Sequence, residues 1–354
     1  MSQPSVERIP WGRTPQGESA LFSLRSQGAI ANVSDLGAAL VGLTLPSADG
    51  PVDVVLGLDR PAGATEAPRG DEAYLGAVIG RVANRIAGSR FELAGAPVAL
   101  TANEGAHHLH GGTGGFHRRS WAAQPIARPD APALALSYLS VDGEEGYPGQ
   151  LWATALYRLG PGPVLRLELG ALADAVTPVS LTHHPYFNLD GHASGTVRDQ
   201  RLTLFADRYA VTDGDGIPTG EVREVAGTPF DFRNDKPLGR DLDAPELHGG
   251  YDVHLVLRGP PGRLRPAARL VGAATGLELE VWTTQPGIQL YTGNGLDGSL
   301  RGKGGVAYQR HAGVALEAQA YPNAVNTPAF PSVLLAPGVA YRQVVEYRWR
   351  SVQR

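Results

Sequence analysis

The stretch Leu151-Trp152-Ala153-Thr154-Ala155-Leu156-Tyr157-Arg158-Leu159-Gly160-Pro161-Gly162-Pro163-Val164-Leu165-Arg166-Leu167-Glu168-Leu169-Gly170-Ala171-Leu172 reads as two β-strands and the turn between them. Leu165, Leu167 and Leu169 alternate with Arg166 and Glu168. That two-residue period places one side of a strand in a core and the other in water. Gly160-Pro161-Gly162 supplies the turn, because glycine accepts left-handed backbone and proline fixes φ.

Outward from this hairpin the same grammar repeats. Upstream, strand-like runs cover 21–24, 29–33, 39–45, 52–56 and 133–139, with Ser47-Ala48-Asp49-Gly50 as a turn and Arg90-Phe91-Glu92-Leu93 as a short alternating segment. Downstream they cover 201–205, 251–257, 268–271, 276–284, 287–292, 313–318 and 341–349. With 46 Gly and 28 Pro in 354 residues and few stretches of 3.6-residue period, many short strands are joined by turns. No repeat or composition break interrupts the pattern, so the expectation is all-β: one large antiparallel β-sandwich domain over residues 1–354. The loop at 61–70 is too short and polar for a domain linker.

Composition narrows the function classes. A net charge of −4 gives no field for nucleic acid or an anionic membrane, and small neutral ligands fit it better. Absence of cysteine removes thiolate nucleophiles, disulfides and cysteine-bound metals, and agrees with a reducing compartment. No apolar run has the length of a signal peptide core or a membrane span. A cytoplasmic protein is expected. Lys236 and Lys303 are the only lysines, which leaves Schiff-base chemistry almost no candidates.

Several stretches carry chemistry. Leu181-Thr182-His183-His184-Pro185-Tyr186-Phe187-Asn188-Leu189-Asp190-Gly191 packs two histidines beside a proline and aromatic rings, a setting that tunes an imidazole for acid or base work. Glu317 has apolar sequence neighbours on a strand and precedes the stiff Ala320-Tyr321-Pro322-Asn323. A solvent-facing strand glutamate is the plainer reading of that residue. Gly80-Arg81-Val82-Ala83-Asn84-Arg85 reads either as a surface ion-pair feature or as a fork of donors for a polyhydroxylated ligand. His107, His108 and His110 invite a metal. In an extended segment, though, His107 faces away from the other two and no carboxylate follows, so no metal is expected. The glycines after His110 lack the lysine and the strand-to-helix context of a phosphate loop, and Asp213 with Asp215 lacks the remainder of a calcium loop.

Together, GRVANRIAGSRFELAG at 80–95, LHGGTGGF at 109–116, DGEEGYPG at 142–149, LTHHPYFNLDG at 181–191, GTPFDF at 227–232, TTQPGIQLYTGN at 283–294 and the region 313–322 give the chain a resemblance to the aldose 1-epimerase (galactose mutarotase) family. Seven segments in the family's order cover nearly the whole chain. The resemblance implies the galactose mutarotase-like supersandwich with an open sugar cleft, acting on a small-molecule aldose without metal or organic cofactor, as a monomer or homodimer. It implies Glu317 as general base and His184 as general acid, with Asn84, Arg85, His110, Asp252 and Gln289 binding the sugar. Three positions depart from the pattern: His183 where an asparagine is usual, Asn323 where an aspartate is common, and Val253 where a histidine is expected, with His254 one residue later. Three rivals stand beside it: a hexose-phosphate epimerase using Arg81, Arg85 and Arg90, a glycosidase with Asp252 and Glu317 as its carboxylate pair, and a sugar-binding protein without catalysis.

Overall fold

The computed structural model describes residues 4–61, 73–126, 128 and 131–351. Of the loop expected at 61–70, only Pro61 lies among the described residues. No α-helix occurs among them; short 3₁₀ turns punctuate strands throughout.

The opening hairpin is as read: Leu151–Leu159 pairs antiparallel with Val164–Ala173, and Leu159 lies opposite Leu165. It forms the third and fourth strands of a nine-stranded sheet whose order runs Ala122–Ile126, Ala133–Ser140, Leu151–Leu159, Val164–Ala173, Tyr341–Ser351, Leu277–Thr283, Arg265–Val271, Arg201–Leu204 and Lys236–Pro237. The alternation in sequence becomes burial. Leu165, Leu167 and Leu169 are buried beside Ala155, Tyr157, Val345 and Tyr347, while Arg166 pairs with Glu346 and Glu168 on the outer face. Burying each leucine contributes roughly 1.5–3 kcal/mol.

A five-stranded sheet from Ser5–Thr14 to Gly50–Asp53 leads the chain. A six-stranded sheet runs Tyr186–Phe187, Val314–Gln319, Gly287–Tyr291, Asp252–Leu257, Ala206–Thr212 and Pro218–Glu224. One apolar cluster joins all three, with Leu24 and Leu43 from the first, Leu167 and Val281 from the second, and Leu290 and Leu316 from the third. Strands at 5–14, 122–126, 206–212 and 218–224 escape the sequence reading because their buried positions are few. Ser5–Thr14 and Pro218–Glu224 are edge strands with mostly exposed or half-buried residues, where burial imposes little period.

Two buried features brace the cleft side of the molecule. Arg81 is 2% exposed, and its guanidinium donates to Ser140, Val141, Pro148, Gly149 and Thr177. Gly111 has φ +86°, and a Cβ there would sit 1.8 Å from Gly80 O, so the turn after His110 packs against the 80–85 segment only as glycine.

Candidate active site

The six-stranded sheet and the 182–187 segment bring two distant residues together. Pro185 cannot donate to a ladder, so pairing breaks there: Thr182–His183 pairs with Val78–Ile79, and Tyr186–Phe187 pairs with Val314–Ala315. His184 falls in the break, where its backbone N–H donates to Ala77 O at 2.9 Å and its carbonyl accepts from Gly76 N–H at 2.9 Å. Its ring is thus one strand spacing from Glu317. The two side chains are 3% and 2% exposed, and His184 Nε2 lies 3.5 Å from Glu317 Oε1. The solvent-facing reading of Glu317 is therefore set aside.

Both residues line a cleft of about 430 Å³, together with Tyr74, Asn84, Arg85, Glu104, His110, Asp252 and Tyr291. That size suits a single small ligand. Asn84 and His110 both have left-handed backbone, φ 62° and 52°, and hold each other reciprocally. Asn84 N–H donates to His110 Nδ1 at 3.1 Å, and His110 N–H donates to Asn84 O at 3.1 Å. Arg85 binds Glu104 through Nε at 2.6 Å and Nη2 at 2.8 Å, and its Nη1 lies 3.5 Å from Asp252 Oδ2. Gln289 is placed differently from the other expected sugar contacts. It is 4% exposed and absent from the cleft lining, and its Nε2 donates to Asp252 Oδ1 at 2.6 Å.

Burial sets the electrostatics. It pushes the Glu317 carboxyl well above its ordinary value, with the nearby Asp252 charge acting in the same direction and Arg85 against it. It lowers His184 to about 4, and it lowers His110 well below the usual imidazole range, with His184 and Arg85 adding to the effect. Each shift favours the neutral form of a buried side chain. The neutral pair and the ion pair hold the same single proton, so exchanging one for the other only moves that proton between the two residues.

The histidine run separates. His107 Nδ1 accepts from Gly88 N–H, and its Nε2 lies 3.7 Å from Asp215. His108 is tied to Thr101 O and the Tyr147 hydroxyl. Only His110 reaches the cleft, where it joins His184 and Glu317 in a trio whose potential ligand atoms lie within 4.8 Å of one another. The wiring of His110 tells against a metal there. Because Nδ1 accepts from Asn84, the neutral ring carries its proton on Nε2 and presents a donor to the cleft, as a sugar oxygen requires and a metal does not.

The three departures have distinct settings. His183 points away from the cleft, between the Tyr157 hydroxyl at 3.0 Å and the Tyr347 hydroxyl at 2.8 Å, and burial lowers it to about 3. Asn323 adopts φ 55° and accepts from Ala87 N–H at 3.1 Å, while its own N–H donates to Arg85 O, so it pins the loop that carries Asn84 and Arg85. Val253 is 4% exposed in the main core. His254 shares a sheet face with its cross-strand partner Gln289, and its ring occupies the space a Cβ on Gly287 would take, 2.2 Å from Nε2. Neither of its ring nitrogens has a partner among the described residues.

Tyr74 and Glu104 are among the cleft residues that sequence reasoning passes over, as are Tyr291 and Asp297. Tyr74 sets its ring 4.7 Å from His110 and 5.9 Å from His184. Nothing in residue spacing links it to either, and nothing pairs Glu104 with Arg85 before the loops fold.

Comparison with known proteins gives the family and the fold. The family model described as Aldose 1-epimerase matches residues 20–348. The galactose mutarotase of Bos taurus is 40% identical over 349 residues, covering 98% of each chain, and the aldose 1-epimerase of Escherichia coli is 38% identical over 344 residues, covering 95% of this chain and 96% of its own. Among solved structures, an aldose epimerase homologue from C. elegans matches with a TM-score of 0.83 at 31% identity, over 99% of this chain and 100% of the other. The galactose 1-epimerase of Lactobacillus acidophilus matches with a TM-score of 0.84 at 27% identity and the same coverage. The chain belongs to the aldose 1-epimerase (mutarotase) family of isomerases.

Proposed function

We propose that the chain interconverts the α and β anomers of free aldohexoses such as galactose and glucose, with Glu317 as general base and His184 as general acid. The observation that carries this reading is the 3.5 Å approach of His184 Nε2 to Glu317 Oε1, both buried, at a cleft with Asn84, Arg85, His110 and Asp252 around it. A pyranose opens when its C1 hydroxyl loses a proton and its ring oxygen gains one. Glu317 takes the first as His184 delivers the second, which avoids a free alkoxide or oxonium. The open aldehyde turns about C1–C2 and recloses with the roles reversed. The pair begins and ends each turnover with one shared proton, so no co-reactant is consumed.

The other residues hold the sugar still while C1 reacts. His110 donates from Nε2, and Arg85 and Asp252 present a donor and an acceptor for hydroxyls. Gln289 acts one step back by fixing Asp252. Placement also weighs against the phosphate-sugar rival. Arg81 spends its guanidinium on the 140–149 segment and Thr177, and neither Arg81 nor Arg90 lines the cleft. Against a purely binding role stands the buried acid–base pair, which a sugar binder does not need. Rates on glucose and glucose 6-phosphate test this reading: acceleration of glucose alone is expected, and faster turnover of the phosphate would move the assignment to the rival.

A further inference from the structure

The cleft carries more acids than bases, and its guanidinium is already engaged. Among the described residues lining it, Glu104, Asp252, Asp297 and Glu317 are acidic, and Arg85 is the sole arginine or lysine. The two parallel donors of Arg85, Nε and Nη2, both go to Glu104. That is the fork-on-fork geometry a guanidinium otherwise offers to a ligand's carboxylate or phosphate. The remaining Nη1 faces Asp252, and the Glu104 and Asp252 side chains stay 37% and 36% exposed. An anionic group entering the cleft therefore meets exposed carboxylates and a cation whose fork is occupied.

We infer that Glu104 is a specificity-determining residue, which occupies the Arg85 fork and so makes the cleft reject aldoses bearing an anionic group, hexuronates and hexose phosphates, in favour of neutral ones. The inference rests on the mutarotase reading above and adds to it the residue that sets the charge preference. A residue that merely braced Arg85 would, when lost, lower turnover of every aldose alike. A residue that sets charge preference changes the ratio between them. For a ligand charge assumed to sit ~7 Å from that carboxylate, removing one unit charge at effective dielectrics between about 20 and 80 would shift that ratio roughly 3- to 50-fold.

The test is kcat/KM for galactose, galacturonate and galactose 6-phosphate, followed as anomer exchange by NMR, in the unmodified protein and in Glu104→Gln. The unmodified protein is expected to prefer galactose over both anions, with a preference that shrinks as ionic strength rises. Glu104→Gln is expected to raise the anion-to-neutral ratio by about tenfold. An unchanged ratio with all three rates falling together overturns the inference, as does a preference that ignores salt; the salt series needs no variant and stands even if Glu104→Gln fails to fold. If galactose itself is not accelerated, the mutarotase reading fails and the inference with it. Acceleration of galactose with an unchanged ratio sinks the role of Glu104 alone.

Discussion

Replacing Gln289 with leucine separates a residue that touches the sugar from one that positions another. In the structure its Nε2 donates to Asp252 Oδ1 at 2.6 Å, and it is not part of the cleft lining. A hydrogen bond to a charged group contributes about 1.5–3 kcal/mol, so losing it should cut kcat/KM about 10- to 150-fold if Asp252 then wanders. Stability should change little, because Gln289 Oε1 has no partner among the described residues and leucine removes that orphan as well. The assay is polarimetric mutarotation in a double-mutant cycle with Asp252→Ala. If Gln289 acts only through Asp252, it costs almost nothing once Asp252 is gone, and the coupling energy nearly equals its single-mutant effect. Additive losses would refute the reasoning and make Gln289 a sugar contact in its own right.

Other outcomes follow from the same geometry. The pH profile of kcat/KM should be a bell whose acid limb lies below the ordinary histidine value of 6.5, toward the value near 4 that burial imposes on His184, and whose alkaline limb lies above the ordinary carboxylate value of 4.5; an acid limb at 6.5 would mean His184 is not the acid. His183 and His254 are both lowered to about 3 from 6.5, so their folded forms resist protonation: stability is fully present above pH 6.5 and is lost as pH falls toward 3, by about 1.4 kcal/mol per pH unit per group. His254→Leu should therefore raise the melting temperature by removing an unpartnered buried imidazole, and should lower proton uptake on acid unfolding by one; calorimetry across pH 4 to 7 reads both. Arg81→Met should destabilise the fold by roughly 3–5 kcal/mol in urea titrations, because it strands several buried acceptors, while the folded fraction keeps its KM.

The hairpin at 151–173 was legible because both faces of its strands have one fate each, buried or wet, and alternation records it. Strand Val314–Gln319 was legible as a strand, but the fate of Glu317 was not. All six of its residues are buried, so burial on both faces erases the contrast that would have marked an inward carboxylate. The pairing of Glu317 with His184 depends on Tyr186–Phe187 joining the sheet beside it, a contact across more than 120 residues that no local pattern encodes. The division between His183 and His184 came from the family resemblance, because the local residue pattern hides it for a similar reason. Their neighbours in sequence are shared, and only the hydroxyls of Tyr157 and Tyr347 on one side and the cleft on the other tell them apart. Asn84, Arg85, His110 and Asp252 emerge together at the cleft, whereas Gln289, expected beside them, stands behind Asp252.

The central claim is that one proton, shuttled between Glu317 and His184, opens and recloses the sugar ring. The most direct measurement is the optical rotation of freshly dissolved α-galactose with the unmodified protein, with Glu317→Gln and with His184→Ala, each first shown to be folded. General acids and bases typically contribute about 10²–10⁴-fold apiece, so each variant should fall back toward the spontaneous rate. A folded Glu317→Gln protein that still brings the rotation to equilibrium as fast as the unmodified one would contradict the account.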